Sequence, residues 1–146
     1  MLKVVYDTNV IVSAALKEES LPALLMSLGL EGKVRFFVSL ALVQEYQKVL
    51  ERPRFKLGHK EIMELMKKIN QKAIMVNPTK ELDILKADKS DNRILECALK
   101  AKVDFIITGN KKHFPFEEFK GSKIVTPREF ISKIGKEIKV KGRALY

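Results

Sequence analysis

The chain is poor in cysteine, in histidine and in long apolar runs. A single cysteine, Cys97, in 146 residues excludes an internal disulfide and a cysteine-based zinc cluster. Its two histidines, His59 and His113, lack the spacing of metal ligands and read as surface residues. No apolar stretch reaches the ~20 residues of a bilayer span, and the N-terminus lacks the layout of a signal peptide. Internal repeats and low-complexity linkers are absent too. What remains is the expectation of a cytoplasmic protein with no membrane segment. At 146 residues it is long enough for a hydrophobic core and short enough for one domain.

Positive charge is what the chain has in excess. Its 28 Lys and Arg against 18 Asp and Glu give a formal charge of +10. Such a surface attracts polyanions, with nucleic acid, an acidic protein and anionic membrane as candidates. A Lys- and Glu-rich surface built for ion-pair networks is the competing explanation.

Short β-rich runs alternate with segments of helical periodicity, the pattern of a parallel sheet covered by helices. Strands are expected at Lys3–Tyr6, Arg35–Val38, Ala73–Val76, Asp104–Ile107 and Lys123–Val125. Between them, two helical pieces meet near Pro22, and further helices run from Leu40 to about Leu50, from His59 to Asn70 and from about Lys89 to Lys100. Pro127 opens a last helix through Ile134. Residues 1–134 thus read as the domain and 135–146 as a basic tail without periodicity, carrying Lys136, Lys139, Lys141 and Arg143.

On this map the acids sort by sheet edge. Asp7 ends the first strand, where α/β folds collect ligands, although an Asp there also caps helices. Ser39 ends the second strand, and Glu45 follows about two turns into the next helix, where it faces the site or is solvated beside Lys48 and Arg52. Asp88 and Asp91 begin a helix and resemble a capping box. Thr108 and Asn110 end the fourth strand, whereas Asp104 opens it and lies at the far edge; Asp83 falls in a connector. Converging carboxylates repel, and a hard divalent cation relieves this. Mg2+ or Mn2+ suits a few carboxylates with water and phosphate oxygens, and such an ion activates water for phosphodiester displacement. A basic surface around an acidic metal pocket points to a nuclease.

The ordered set Asp7-Thr8-Asn9-Val10, Ser39 with Glu45, Asp88 to Asn92 leading into Ile94–Ala98, and Ile106-Ile107-Thr108-Gly109-Asn110 resembles the PIN-domain family over nearly the whole chain. It is most similar to the prokaryotic branch of VapC-like toxins of toxin–antitoxin pairs. The resemblance implies a three-layer α/β/α sandwich on a parallel five-stranded sheet, and a ribonuclease that cuts single-stranded RNA with Mg2+ or Mn2+. A homodimer and a cognate antitoxin are implied as partners. Residue by residue, it places catalytic and metal-binding roles on Asp7, Glu45 and Asp91, with Asn110 as a further metal ligand. Asn9, Ser39, Asp88 and Thr108 support them. Many members carry an acid where this chain has Asn110, so one metal position loses charge.

Two other readings stay open. Haloacid-dehalogenase-like enzymes want a second Asp where this chain has Asn9, and receiver domains want an Asp where it has Asn77, so both fit poorly. A weakly active or inactive module that binds RNA or protein fits Asn110. Lys111 and Lys112 stand beside the expected crevice as phosphate contacts, or as solvated charge. Phe114, Phe116 and Phe119 offer stacking faces or cover the sheet edge.

Overall fold

The computed structural model describes residues 1–85 and 88–140. Lys141 and Arg143 of the expected tail therefore lie outside the described residues.

Valines and aromatics drive the sheet. Strand β1 (Lys3–Tyr6) is the centre, and its Val4, Val5 and Tyr6 are fully buried. It pairs in parallel with β2 (Arg35–Val38) on one side and with β4 (Phe105–Ile107) on the other. Beyond β2 lies the short parallel β3 (Ile74–Met75), and beyond β4 the parallel β6 (Ser122–Val125). These five form the expected parallel sheet.

A sixth strand was not expected. β5 (Glu118–Phe119) adds antiparallel to the outer edge of β6, giving the order β3-β2-β1-β4-β6-β5. The hairpin turns on Lys120 and Gly121, both at positive φ (50° and 92°), the backbone twist that a two-residue hairpin loop needs. Phe119 is buried and its ring stacks on Phe116, so this edge is closed by aromatics.

The helices are α1 (Thr8–Leu16), α2 (Leu21–Leu30), α3 (Leu40–Leu50), α4 (His59–Lys72), α5 (Asp91–Ala101) and α6 (Pro127–Val140). They cover the mostly parallel sheet as the outer layers of an α/β/α fold, α5 lying on β1 and β2 and α6 on β6. Helix α6 begins on Pro127 as expected but continues past Ile134 to Val140, so the proposed tail is helical at its start and Lys136 and Lys139 fall within α6. Among the described residues, no helix is long and apolar enough to cross a membrane.

Two buried tyrosines lock the helices to β1. Tyr6 donates its hydroxyl to the Leu25 carbonyl of α2, and Tyr46 of α3 donates to the Tyr6 carbonyl. Tyr6 fits because Gly29 lacks a side chain: a Cβ there would stand 3.1 Å from both the Tyr6 hydroxyl and the Phe36 Cβ. The Tyr46 bond is made one residue before Asp7, which fixes α3 against the strand end that carries the acid.

Candidate metal and substrate site

Asp7 leaves β1 at the sheet's carboxyl edge and is only 3% exposed. It occupies the N-cap position of α1, yet its side chain makes no cap hydrogen bond. The carboxylate turns instead to its neighbours across the sheet. Thr108 donates its hydroxyl to Asp7 Oδ2 at 2.7 Å, and Asn9 Nδ2 approaches the same oxygen at 3.3 Å. Asn9 is itself held, because its Oδ1 accepts the Gly109 N–H at 2.8 Å. A side chain at 109 would crowd that oxygen at 3.2 Å, so the glycine serves a close approach. The Thr-Gly-Asn turn after β4 therefore orients Asp7 through two side chains.

Asp91 opens α5 and faces the same crevice, 6% exposed. Its Oδ2 is buried without a hydrogen-bond partner. Burial pushes its pKa up to about 7, and Asp7, Asp88 and Glu45 push in the same direction while His113 opposes. Asp7 is also raised, chiefly by burial, with the Thr108 hydroxyl pulling against it. Two buried acids thus stand where ionising both costs free energy, the situation that a bound cation relieves.

Donor atoms of Asp7, Asp91 and His113 all lie within 4.8 Å of one another. His113 is exposed, as expected, but its ring also approaches Asp91, with Nδ1 3.5 Å from Oδ2. The short 3-10 turn at residues 111–113 aims it there, a direction that no spacing in the sequence reveals.

The crevice widens into a cavity of about 630 Å³. Its acidic end includes Asp7, Glu45, Asp88 and Asp91, so the expected catalytic acids share one space. Glu45 lines the wall outside the tight group. Asp88 does not cap α5: its Oδ1 accepts from the Ser90 N–H at 3.0 Å and hydroxyl at 2.6 Å, closing a turn ahead of the helix. The same cavity is also lined by Lys48, Arg52, Arg54 and Phe55. Arg54 lies over the Phe55 ring at 4.8 Å. Lys48 and Arg52 were expected only as partners for Glu45, and Arg54 and Phe55 were not expected at the site; the signal was a basic, proline-anchored Arg-Pro-Arg-Phe run directly after the helix that carries Glu45.

Other expected members stand elsewhere. Ser39 caps α3, accepting the Leu42 N–H at 3.2 Å, and lines a separate hollow with Asn77 and Glu96. Asn110 caps the 3-10 turn, its Oδ1 accepting the Lys112 N–H at 3.1 Å, and is not among the residues lining the acidic cavity. In both, the side-chain oxygen accepts a local backbone N–H. Lys111 pairs with Glu129 at 3.2 Å, and Lys112 is exposed. Asp104 accepts the Lys3 N–H at 2.8 Å, at the opposite edge as expected.

This fold and this acidic crevice define the PIN domain: residues 3–112 match its profile, and the chain belongs to the PIN-domain family, whose members are in general metal-dependent nucleases. It is also similar to the uncharacterized protein MJ1680 of Methanocaldococcus jannaschii, with 26% identity over 148 aligned positions and 94% of each chain covered.

Proposed function

We propose that the protein is an endoribonuclease that cleaves single-stranded RNA at the Asp7–Asp91 crevice with a divalent cation. The observation that carries this reading is the orphaned Asp91 Oδ2, buried beside a second raised carboxyl. Carboxylate oxygens of this kind suit Mg2+ or Mn2+, so the residues fit the ion. Asp7 and Asp91 would hold it, with Glu45 as the further carboxylate of the same cavity. When bound, such an ion supplies water activation and charge stabilisation for phosphodiester displacement.

The remaining side chains orient and bind. Thr108 and Asn9 both donate to Asp7 Oδ2 and so fix the rotation of its carboxylate. Lys48, Arg52 and Arg54 attract the phosphate backbone, and Phe55 gives an unpaired base a face to stack on. Lys111 and Lys112 add positive charge outside the cavity, and in sequence the nuclease domain of 1–134 is followed by a basic stretch at 135–146. Stacking on the half-buried Phe55 ring at the cavity wall favours single strands over a duplex, whose bases are already stacked. The finer role, a toxin held by a cognate antitoxin, acting as a homodimer in the cytoplasm, rests on the likeness of the motifs to the VapC branch.

The test is incubation of end-labelled single-stranded RNA oligonucleotides with Mg2+, Mn2+ or chelator. Metal-dependent internal cleavage supports the nuclease; RNA retention with no cleavage in either metal rejects it in favour of a binding module. For the toxin role, induced expression should arrest growth and the Asp7→Asn chain should not.

A further inference from the structure

We propose that His113 is a nitrogen ligand of the same ion, turning the site into a mixed carboxylate–imidazole centre that favours a first-row transition dication over Mg2+. This rests on the metal-dependent reading above and deepens it. The Nδ1 to Asp91 Oδ2 separation of 3.5 Å is longer than a hydrogen bond, so the imidazole does not satisfy the orphaned oxygen. Both atoms nevertheless belong to one group whose donors lie within 4.8 Å of one another, Asp7 included. Two donors that approach without bonding each other, one of them on a side chain 9% exposed, are arranged for a third atom between them.

The local fold explains how a histidine comes to stand there. Asn110 spends its side-chain oxygen on the Lys112 N–H and starts the 3-10 turn. That turn is held from outside by Lys111, paired with Glu129, whose carboxylate also accepts the Thr126 N–H at 2.9 Å at the head of α6. His113 ends the turn and faces the acids. Charge favours the exchange as well. A neutral imidazole adds a donor without adding another negative group to Asp7, Asp91, Asp88 and Glu45. Nitrogen donors bind transition dications better than Mg2+, which prefers oxygen and retains its water.

Pulsed electron paramagnetic resonance on Mn2+ bound to the untagged full-length chain tests this. The expected result is an echo modulation from imidazole nitrogen that disappears in His113→Asn. Competition between the two ions should show the Mn2+ preference over Mg2+ falling roughly tenfold in that variant. His59 is the only other histidine and is exposed on α4, so the variant assigns the signal. His113 is 41% exposed, and the variant's circular dichroism should match the native chain. Bound Mn2+ without nitrogen modulation overturns the ligand and leaves His113 as an ion-pair neighbour of an intact acid site. Modulation that survives His113→Asn also overturns it. A native chain that binds no Mn2+ overturns both this inference and the metal-dependent reading.

Discussion

Helix α5 carries two buried acids with opposite surroundings. Glu96, in the second turn, is 8% exposed and partnered: its Oε2 accepts the Leu82 N–H at 2.7 Å and pairs with Arg93 at 2.8 Å. Beside it, Asn92 makes four hydrogen bonds to the backbone of Ile84, Leu85 and Lys89, tying the connector before α5 down onto the helix. Among the described buried side-chain atoms there, the Arg93 Nε, on a partly exposed side chain, lacks a partner. Asp91, one turn earlier, keeps a bare oxygen against Asp7. Buried polar groups in a structural role are paired within the chain, whereas a buried acid left unpaired marks a place for something from outside. The contrast separates scaffold from site on a single helix.

The sharpest way to break that contrast is by activity. Asp91→Asn should lower metal-dependent RNA cleavage by more than about a hundredfold, while Glu96→Gln should keep native cleavage in the same gel assay. Equal losses would mean that both acids are scaffold.

Stability should divide the other way. Asn92→Ala removes a side chain that satisfies several backbone groups at once and should cost roughly 2–4 kcal/mol by urea unfolding in chelator. Under the same conditions Asp91→Asn should be neutral or stabilising, because it removes a buried carboxylate crowded by other acids, whose Oδ2 has no hydrogen-bond partner.

A pH titration sharpens the same point. The Asp91 carboxyl is raised from 3.8 to about 7 on folding, so between those values the folded chain holds a proton that the unfolded chain has lost. Its contribution is complete below the unfolded value and disappears as pH rises through about 7. The metal-free protein should therefore lose stability as pH rises across this window, and Asp91→Asn should flatten that part of the curve. Saturating Mn2+ should oppose the loss, because the ion binds the deprotonated acids.

A smaller effect is expected at Tyr46, whose hydroxyl ties α3 to the strand end just before Asp7. Tyr46→Phe leaves the Tyr6 carbonyl without this donor and should cost about 1 kcal/mol. Cleavage should drop only a few-fold, since the acids themselves remain.

Much of the scaffold was legible because its signals are local. The spans of β1 and β2 follow directly from Lys3–Tyr6 and Arg35–Val38, and Pro127 marks the start of α6. The shared crevice of Asp7, Glu45 and Asp91 was legible too, since each follows a strand end or opens a helix at one edge of a parallel sheet. What sequence could not give depends on side-chain direction. Ser39 and Asn110 accept nearby backbone N–H groups, while a three-residue turn brings the exposed His113 beside Asp91. The β5 hairpin was missed because two residues are too few to display a period, although Gly121 marked its turn. The continuation of α6 past Gly135 was missed because a glycine followed by lysines resembles a helix end.

The central claim is that Asp7 and Asp91 hold a catalytic divalent ion, and the most direct measurement is cleavage of one defined single-stranded RNA by native and Asp7→Asn protein, each titrated with Mn2+ and checked for fold by circular dichroism. The prediction is cleavage by the native chain that rises with Mn2+ and stops with chelator, and none by a folded Asp7→Asn chain. Undiminished cleavage by that variant, or native cleavage indifferent to chelator, would contradict the account.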